Sequence, residues 1–149
     1  MKRAIVSAVF VCCGLSFAFG QSAQLPSTQL MKQQGQLLYR DLNAMVKGEA
    51  AFDPAKATLL VANLVETAAK IPEAFPETSK GKTSADSRYA ASPKVWEMQA
   101  EFRRDAARLA EVLAEYRQKA GSPDELKATY SAINNACNAC HETFRLRNG

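Results

Sequence analysis

Histidine is almost missing from this 149-residue chain: His141 is the only one. Tryptophan also occurs once, as Trp96. Beyond residue 20 no long apolar run remains, so nothing downstream reads as a membrane span. Alternation of apolar and polar residues with period two is missing at any useful length, which argues against half-buried strands. Charge of one sign is not in excess either. Lys and Arg number 19 and Asp and Glu 15, for a formal charge of +4, too mild to imply a nucleic-acid partner. Internal repeats and low-complexity tracts are absent. Gly81-Lys82-Thr83 resembles the end of a phosphate-binding loop, but Pro76 stands where the required glycine should be and no strand precedes it. A nucleotide site is therefore rejected.

The first twenty residues read as a secretory leader, leaving residues 21–149 as one domain. Lys2 and Arg3 open it, an apolar run from Ala4 to Phe19 follows, and Ala18-Phe19-Gly20 supplies small residues for cleavage. Export to the periplasm as a soluble, not membrane-spanning protein is the expectation. Cys12 and Cys13 leave with the leader, and neither follows the small residue a lipoprotein site needs. The mature chain keeps Cys137 and Cys140, in an oxidising compartment. Losing Lys2 and Arg3 leaves 17 basic residues against 15 acidic.

What is abundant is helical spacing. Met31, Leu38, Leu42 and Met45 form one stripe, with Gly35 at the missing step. Val61, Leu64, Ala68 and Ile71 form a second. Met98, Phe102, Ala106, Leu109, Leu113 and Tyr116 form a third, and Leu126, Tyr130, Ile133, Cys137, Cys140 and Phe144 a fourth. Steps of three and four residues mark one face of a helix. Asp53-Pro54, Ser92-Pro93 and Ser122-Pro123 each pair a capping side chain with proline at the first helical position. Glu125, three after Ser122, completes a capping box. Gly48, Gly121 and Pro72 sit where helices should stop. The spacing predicts helices over 26–47, 54–71, 93–120 and 123–146. Short connections, except the Pro- and Ser-rich stretch from Pro72 to Ser92, predict an all-α, antiparallel up-down-up-down four-helix bundle.

The chemistry concentrates in Cys137-Asn138-Ala139-Cys140-His141. On a helix these side chains stand at i, i+3 and i+4 and point to one side. A zinc site needs a fourth ligand, and the mature chain has no further Cys or His. A thioredoxin-type pair belongs at a strand–helix junction, and no strand is predicted. A disulfide leaves His141 without a purpose. Covalent haem uses all three: two thioethers to the haem vinyls from Cys137 and Cys140, and the iron on His141. Burying that apolar macrocycle among the helices also accounts for the core.

C-x-x-C-H near the end of a four-helix exported chain resembles the class II cytochromes c, the cytochrome c′ family. "MVKGEAAFD" at 45–53, "SPKVWEMQAEF" at 92–102 and "CHETFR" at 140–145 are similar to family segments, and the likeness spans essentially the whole mature chain. The resemblance implies one covalent haem c with its iron and a periplasmic one-electron carrier rather than an enzyme, with no catalytic residues. It implies redox partner proteins of a respiratory or photosynthetic chain, and leaves monomer or homodimer open. Within the family, one branch has a five-coordinate iron that admits NO or CO. Another adds a methionine from the first helix, giving a low-spin iron. "TQLMKQQG" at 28–35 is similar to the second branch.

Level in the bundle agrees with that branch. With helices 1 and 4 antiparallel, Met31 and His141 fall at one height. Met45 lies fourteen residues beyond Met31, about 21 Å away along the axis. Met98, opening helix 3, is at the right level and is the second choice. Met31 is therefore the expected distal ligand, against the alternatives of Met98 or an open position. Gly35, one turn on, would let the macrocycle approach the backbone, although glycine there costs about 1 kcal/mol relative to alanine. Arg145, four after His141, is expected at the haem edge or a propionate, or else in solvent. Trp96 and Phe144 are expected to pack near the haem. As plain structure, methionine and aromatic residues at this spacing fill core.

Overall fold

A computed structural model describes residues 24–146, so the leader expected over 1–20 lies outside the described residues. Four long helices make the bundle. Helix α1 runs Pro26–Gly35, passes through a π-helical segment at Gln36–Leu42 and ends with Asn43–Val46. Helix α2 is Pro54–Ala68. Helix α3 is a turn at Lys94–Glu97 followed by Gln99–Tyr116, and α4 is Pro123–Phe144. Between α2 and α3 lie three 3₁₀ turns, Pro72–Ala74, Glu77–Ser79 and Ser87–Tyr89. The helices pack as the antiparallel four-helix bundle predicted.

Caps explain most boundaries. Asp53 accepts the Lys56 backbone N–H at 3.0 Å, and Ser122 accepts that of Glu125 at 3.3 Å. Glu125 reaches one residue further back than a capping box requires, accepting the Gly121 N–H at 2.9 Å. Gly48 closes α1 at φ +74°, the left-handed conformation that glycine adopts at least cost. Gly121 does not take that conformation; a side chain there would crowd Glu125 Oε2, 3.3 Å from the Cβ position.

The structure differs from the sequence reading at four places, each for a local reason. Helix α1 is not a uniform α-helix: its π segment takes up a surplus residue without leaving the helical path. Helix α2 stops at Ala68 rather than 71, where Thr67 Oγ1 back-bonds to the carbonyls of Asn63 (2.9 Å) and Leu64 (3.1 Å) and the chain tightens ahead of Pro72. Helix α3 breaks at Met98 (φ −122°, ψ 50°) and ends at Tyr116 rather than 120. The chain past it turns inward, with Ala120 fully buried and the Lys119 carbonyl accepting Thr129 Oγ1. Helix α4 stops at Phe144 rather than 146 because Arg145 and Leu146 become extended. They pair with residues 90–92 through Ser92 N–H to Phe144 O and Leu146 N–H to Ala90 O, both 2.9 Å.

The predicted stripes meet on the bundle axis. Leu38, Leu42, Val61, Leu64, Leu113, Leu126 and Ile133 are each 2% exposed or less. Each such side chain contributes about 1.5–3 kcal/mol by leaving water. Three edge-to-face ring pairs extend the core at the Phe144 end: Phe102–Phe144 (5.2 Å), Phe75–Phe102 (5.1 Å) and Phe75–Trp96 (6.4 Å).

Candidate haem site

Core packing is interrupted by a cavity of about 220 Å³ between α1, α3, α4 and the Ser87–Ala91 segment. Its body is apolar, with Leu38, Leu64, Ile71, Phe102, Leu109 and Phe144 among its walls. It opens to solvent beside Tyr39, 44% exposed, and beside Arg88.

Helix α4 contributes Cys137, Cys140 and His141, all on its cavity side, as the i, i+3, i+4 spacing requires. Helix α1 contributes Met31 and Gly35 to the same cavity. The two helices therefore bring Met31 and His141 to one site, as the antiparallel arrangement predicts. Gly35 leaves room: only the Tyr89 hydroxyl, at 3.9 Å, comes near its Cβ position. Phe144 and Arg145 also line the cavity. Trp96 and Met98 do not. Trp96 sits beyond Phe75 and donates its Nε1–H to Pro76 O at 3.2 Å, pinning the long loop. Met98, at the break of α3, is 36% exposed.

Electrostatics suit this donor set to haem. Burial, reinforced by the neighbouring Cys140, pushes the Cys137 thiol up to about 12. Burial, with Asp105 adding to it, raises Cys140 to about 11. Thiols held protonated at neutral pH are poor redox nucleophiles. Among the described residues no group of three or more His, Cys, Asp or Glu side chains is disposed to hold a metal ion directly. Burial, aided by the positive charge of Arg145, lowers the pKa of His141. Its imidazole is therefore neutral, the form that ligates iron. His141 Nδ1 and Gln34 Nε2 are both buried without a hydrogen-bond partner in the described residues. Such orphans cost about 1–3 kcal/mol each. Their position around one largely apolar cavity fits a bound group that is mostly apolar yet has polar parts, and haem is such a group.

Seven lining residues had escaped the sequence reading: Gln34, Tyr39, Phe75, Arg88, Tyr89, Ala90 and Ala91. Gln34 and Tyr39 flank recognised apolar positions but are not themselves on the stripe. Arg88 and Tyr89 lie in the long connection, where no periodicity predicts which residue turns inward.

A helical bundle that closes around C-x-x-C-H defines a c-type haem protein. The sequence model of the family described as Cytochrome C' matches residues 27–145. Cytochrome c-556 of Rhodopseudomonas palustris is 34% identical over 150 aligned residues, covering all of both chains. Cytochrome c-555 of Bradyrhizobium diazoefficiens is 32% identical, and cytochrome c' of R. palustris 33% identical, each over 99% of both chains. Among solved structures, oxidised R. palustris cytochrome c556 superposes with a TM-score of 0.71 at 36% identity, covering 83% of this chain and 95% of that one. A mutant of R. palustris cytochrome c' superposes with a TM-score of 0.70 at 31% identity, over 81% and 94%. The chain belongs to the cytochrome c′ family, the class II cytochromes c, and the c-556 likeness fits its methionine-ligated branch. Membership brings one covalently bound haem c with its iron. Among the described residues no helix is long and apolar enough to cross a membrane.

Proposed function

We propose that the protein is a periplasmic one-electron carrier whose haem iron is low-spin, ligated by His141 and Met31. The observation that carries this reading is the position of Met31 and His141 on facing helices around one cavity. When bound, the haem supplies a one-electron Fe(III)/Fe(II) couple. Cys137 and Cys140 would hold it by thioethers, which would prevent its loss. His141, kept neutral by burial, offers a nitrogen donor. Met31 offers a soft thioether, which favours the reduced iron and raises the potential. Leu38, Leu64 and Phe102 exclude water. With both Met31 and His141 holding the iron, little would have to rearrange when its charge changes. The chain acts as a carrier rather than an enzyme, and its partners are other redox proteins.

A second reading gives an iron with no methionine and an open position for NO or CO. The 33% identity to a protein named cytochrome c' favours it, as does the apolar lining. Met31→Ala separates the two. The first reading expects a low-spin wild type and a high-spin, CO-binding variant. An identical spectrum in both would eliminate Met31 as a ligand. Export is tested by fractionation of the producing cell, with the protein expected in the periplasmic fraction.

A further inference from the structure

Gln34 is the one cavity-lining amide among the described residues. It stands on α1 three residues after Met31 and next to Gly35, so it shares the cavity-facing side of the helix. Its Nε2 is buried and finds no acceptor among the described residues. A buried donor without an acceptor is a net loss to the fold, and native proteins seldom keep one unless a ligand completes it.

The surroundings define what that ligand presents. The polar side chains nearest this part of α1 come from the Ser87–Tyr89 turn. The Tyr89 hydroxyl approaches Gly35, the residue after Gln34. Two cations approach the Tyr89 ring, Lys32 Nζ at 5.6 Å and the Arg88 guanidinium at 5.7 Å from its centre. Arg88 is itself held by Asp86, with Nη2 donating to Oδ2 at 2.8 Å and Nε to Oδ1 at 3.0 Å. The cavity thus has an apolar body and a polar corner between α1 and this turn, where Arg88 is ion-paired with Asp86. Haem has the same asymmetry. Its macrocycle is apolar, its pyrrole nitrogens are occupied by iron, and its only peripheral oxygens are those of its two propionates.

We propose that Gln34 donates its Nε2–H to a haem propionate, fixing that carboxylate at the corner beside Tyr89 and Arg88. This rests on the haem occupying the cavity, and not on which residue supplies the sixth ligand. The amide neutralises part of a negative charge close to the iron. It also fixes the propionate edge on the α1 side, while the thioethers fix the opposite edge on α4. Gln34 is thus a positioning residue for the haem and acts on the iron only through it.

The test uses the holoprotein with Gln34→Leu, which keeps bulk and removes the donor, and Gln34→Glu, which keeps shape and replaces the donor with a carboxylate. The direct readout is the propionate bending band in the resonance Raman spectrum of the ferrous protein. It should move to lower frequency in both variants, because a carboxylate relieved of its donor bends more easily. The reduction potential should fall in Gln34→Leu and further in Gln34→Glu, since uncompensated negative charge favours ferric iron. Propionate bands at the wild-type position in both variants would overturn the proposal. So would an unchanged propionate band accompanied by loss of the iron–sulfur absorption, which would assign the amide to the axial methionine. A high-spin wild type would defeat Met31 as ligand while leaving the propionate shift expected, so the two readings fail separately.

Discussion

Removing one residue from the middle of a ligand-bearing helix should ordinarily destroy the site; here the structure predicts that it does not. Consider deletion of Arg40, an exposed residue in the π segment Gln36–Leu42 that does not line the cavity. In a regular α-helix the loss of one residue turns everything before it by about 100° and shifts it by about 1.5 Å. With Cα atoms about 2.3 Å from the axis, Met31 would swing by about 3.5 Å across it. No axial bond survives a displacement of that size. The π segment changes the outcome, because its i→i+5 bonds carry one residue more than the α path needs. Deletion lets the segment close to i→i+4 bonding, and Met31 and Gly35 keep their places on the cavity wall. The lost interaction is a surface one, Arg40 Nη1 to Gln36 Oε1 at 3.3 Å, worth less than about 1 kcal/mol. The assay is the visible spectrum of the holoprotein with far-ultraviolet circular dichroism as a control. With Met31 on the iron as proposed, the expected result is a low-spin spectrum in both the variant and the wild type. A helical, folded variant with a high-spin spectrum would refute the surplus-residue reasoning.

Four other outcomes follow from the same structure. Cys140→Ser should leave the haem covalently attached through Cys137 alone, with one vinyl unsaturated and the pyridine haemochrome band moved to longer wavelength; an unmoved band would mean that Cys140 makes no thioether. In haem-free protein, with Cys140 pushed to about 11 and Cys137 to about 12, the two thiols should react with iodoacetamide at pH 8 about 100-fold and about 1,000-fold more slowly, respectively, than after denaturation. The folded state then holds protons that the unfolded chain releases. Stability of that haem-free form should accordingly decline as pH rises above the ordinary thiol value of 9.0, which chemical denaturation at pH 8 and pH 10 would read. Gly48→Ala forces a side chain into φ +74° and should cost about 1–2 kcal/mol, visible as a lower melting temperature with an unchanged haem spectrum.

Most of the bundle is written in short-range signals. Asp53-Pro54 and Ser122-Pro123 locate two helix starts to the residue, and the buried Leu64, Leu113 and Ile133 occupy predicted stripe positions. Cys137, Cys140 and His141 were legible because their identity and spacing alone force them to one side of a helix. The π segment was not legible, since steps of three and four residues such as Leu38 to Leu42 look alike in an α or a π path. Arg145 illustrates a different limit. It was expected inside the last helix, yet pairing with Ala91 makes its backbone extended, and that pairing joins residues 54 positions apart. Arg88, Tyr89 and the inward turn of Gln34 depend on the same kind of long-range packing. Trp96 was drawn toward the haem by its aromatic character alone, whereas its indole N–H is taken by Pro76 O, outside the cavity.

The central claim is that Met31 and His141 share one iron. The most direct measurement is the absorption spectrum of the purified oxidised and reduced holoprotein, before and after addition of CO. Ligation by both residues predicts low-spin bands in both states, a weak sulfur-to-iron charge-transfer band at the red end of the oxidised spectrum, and no change with CO. A high-spin spectrum that converts on CO addition would contradict it.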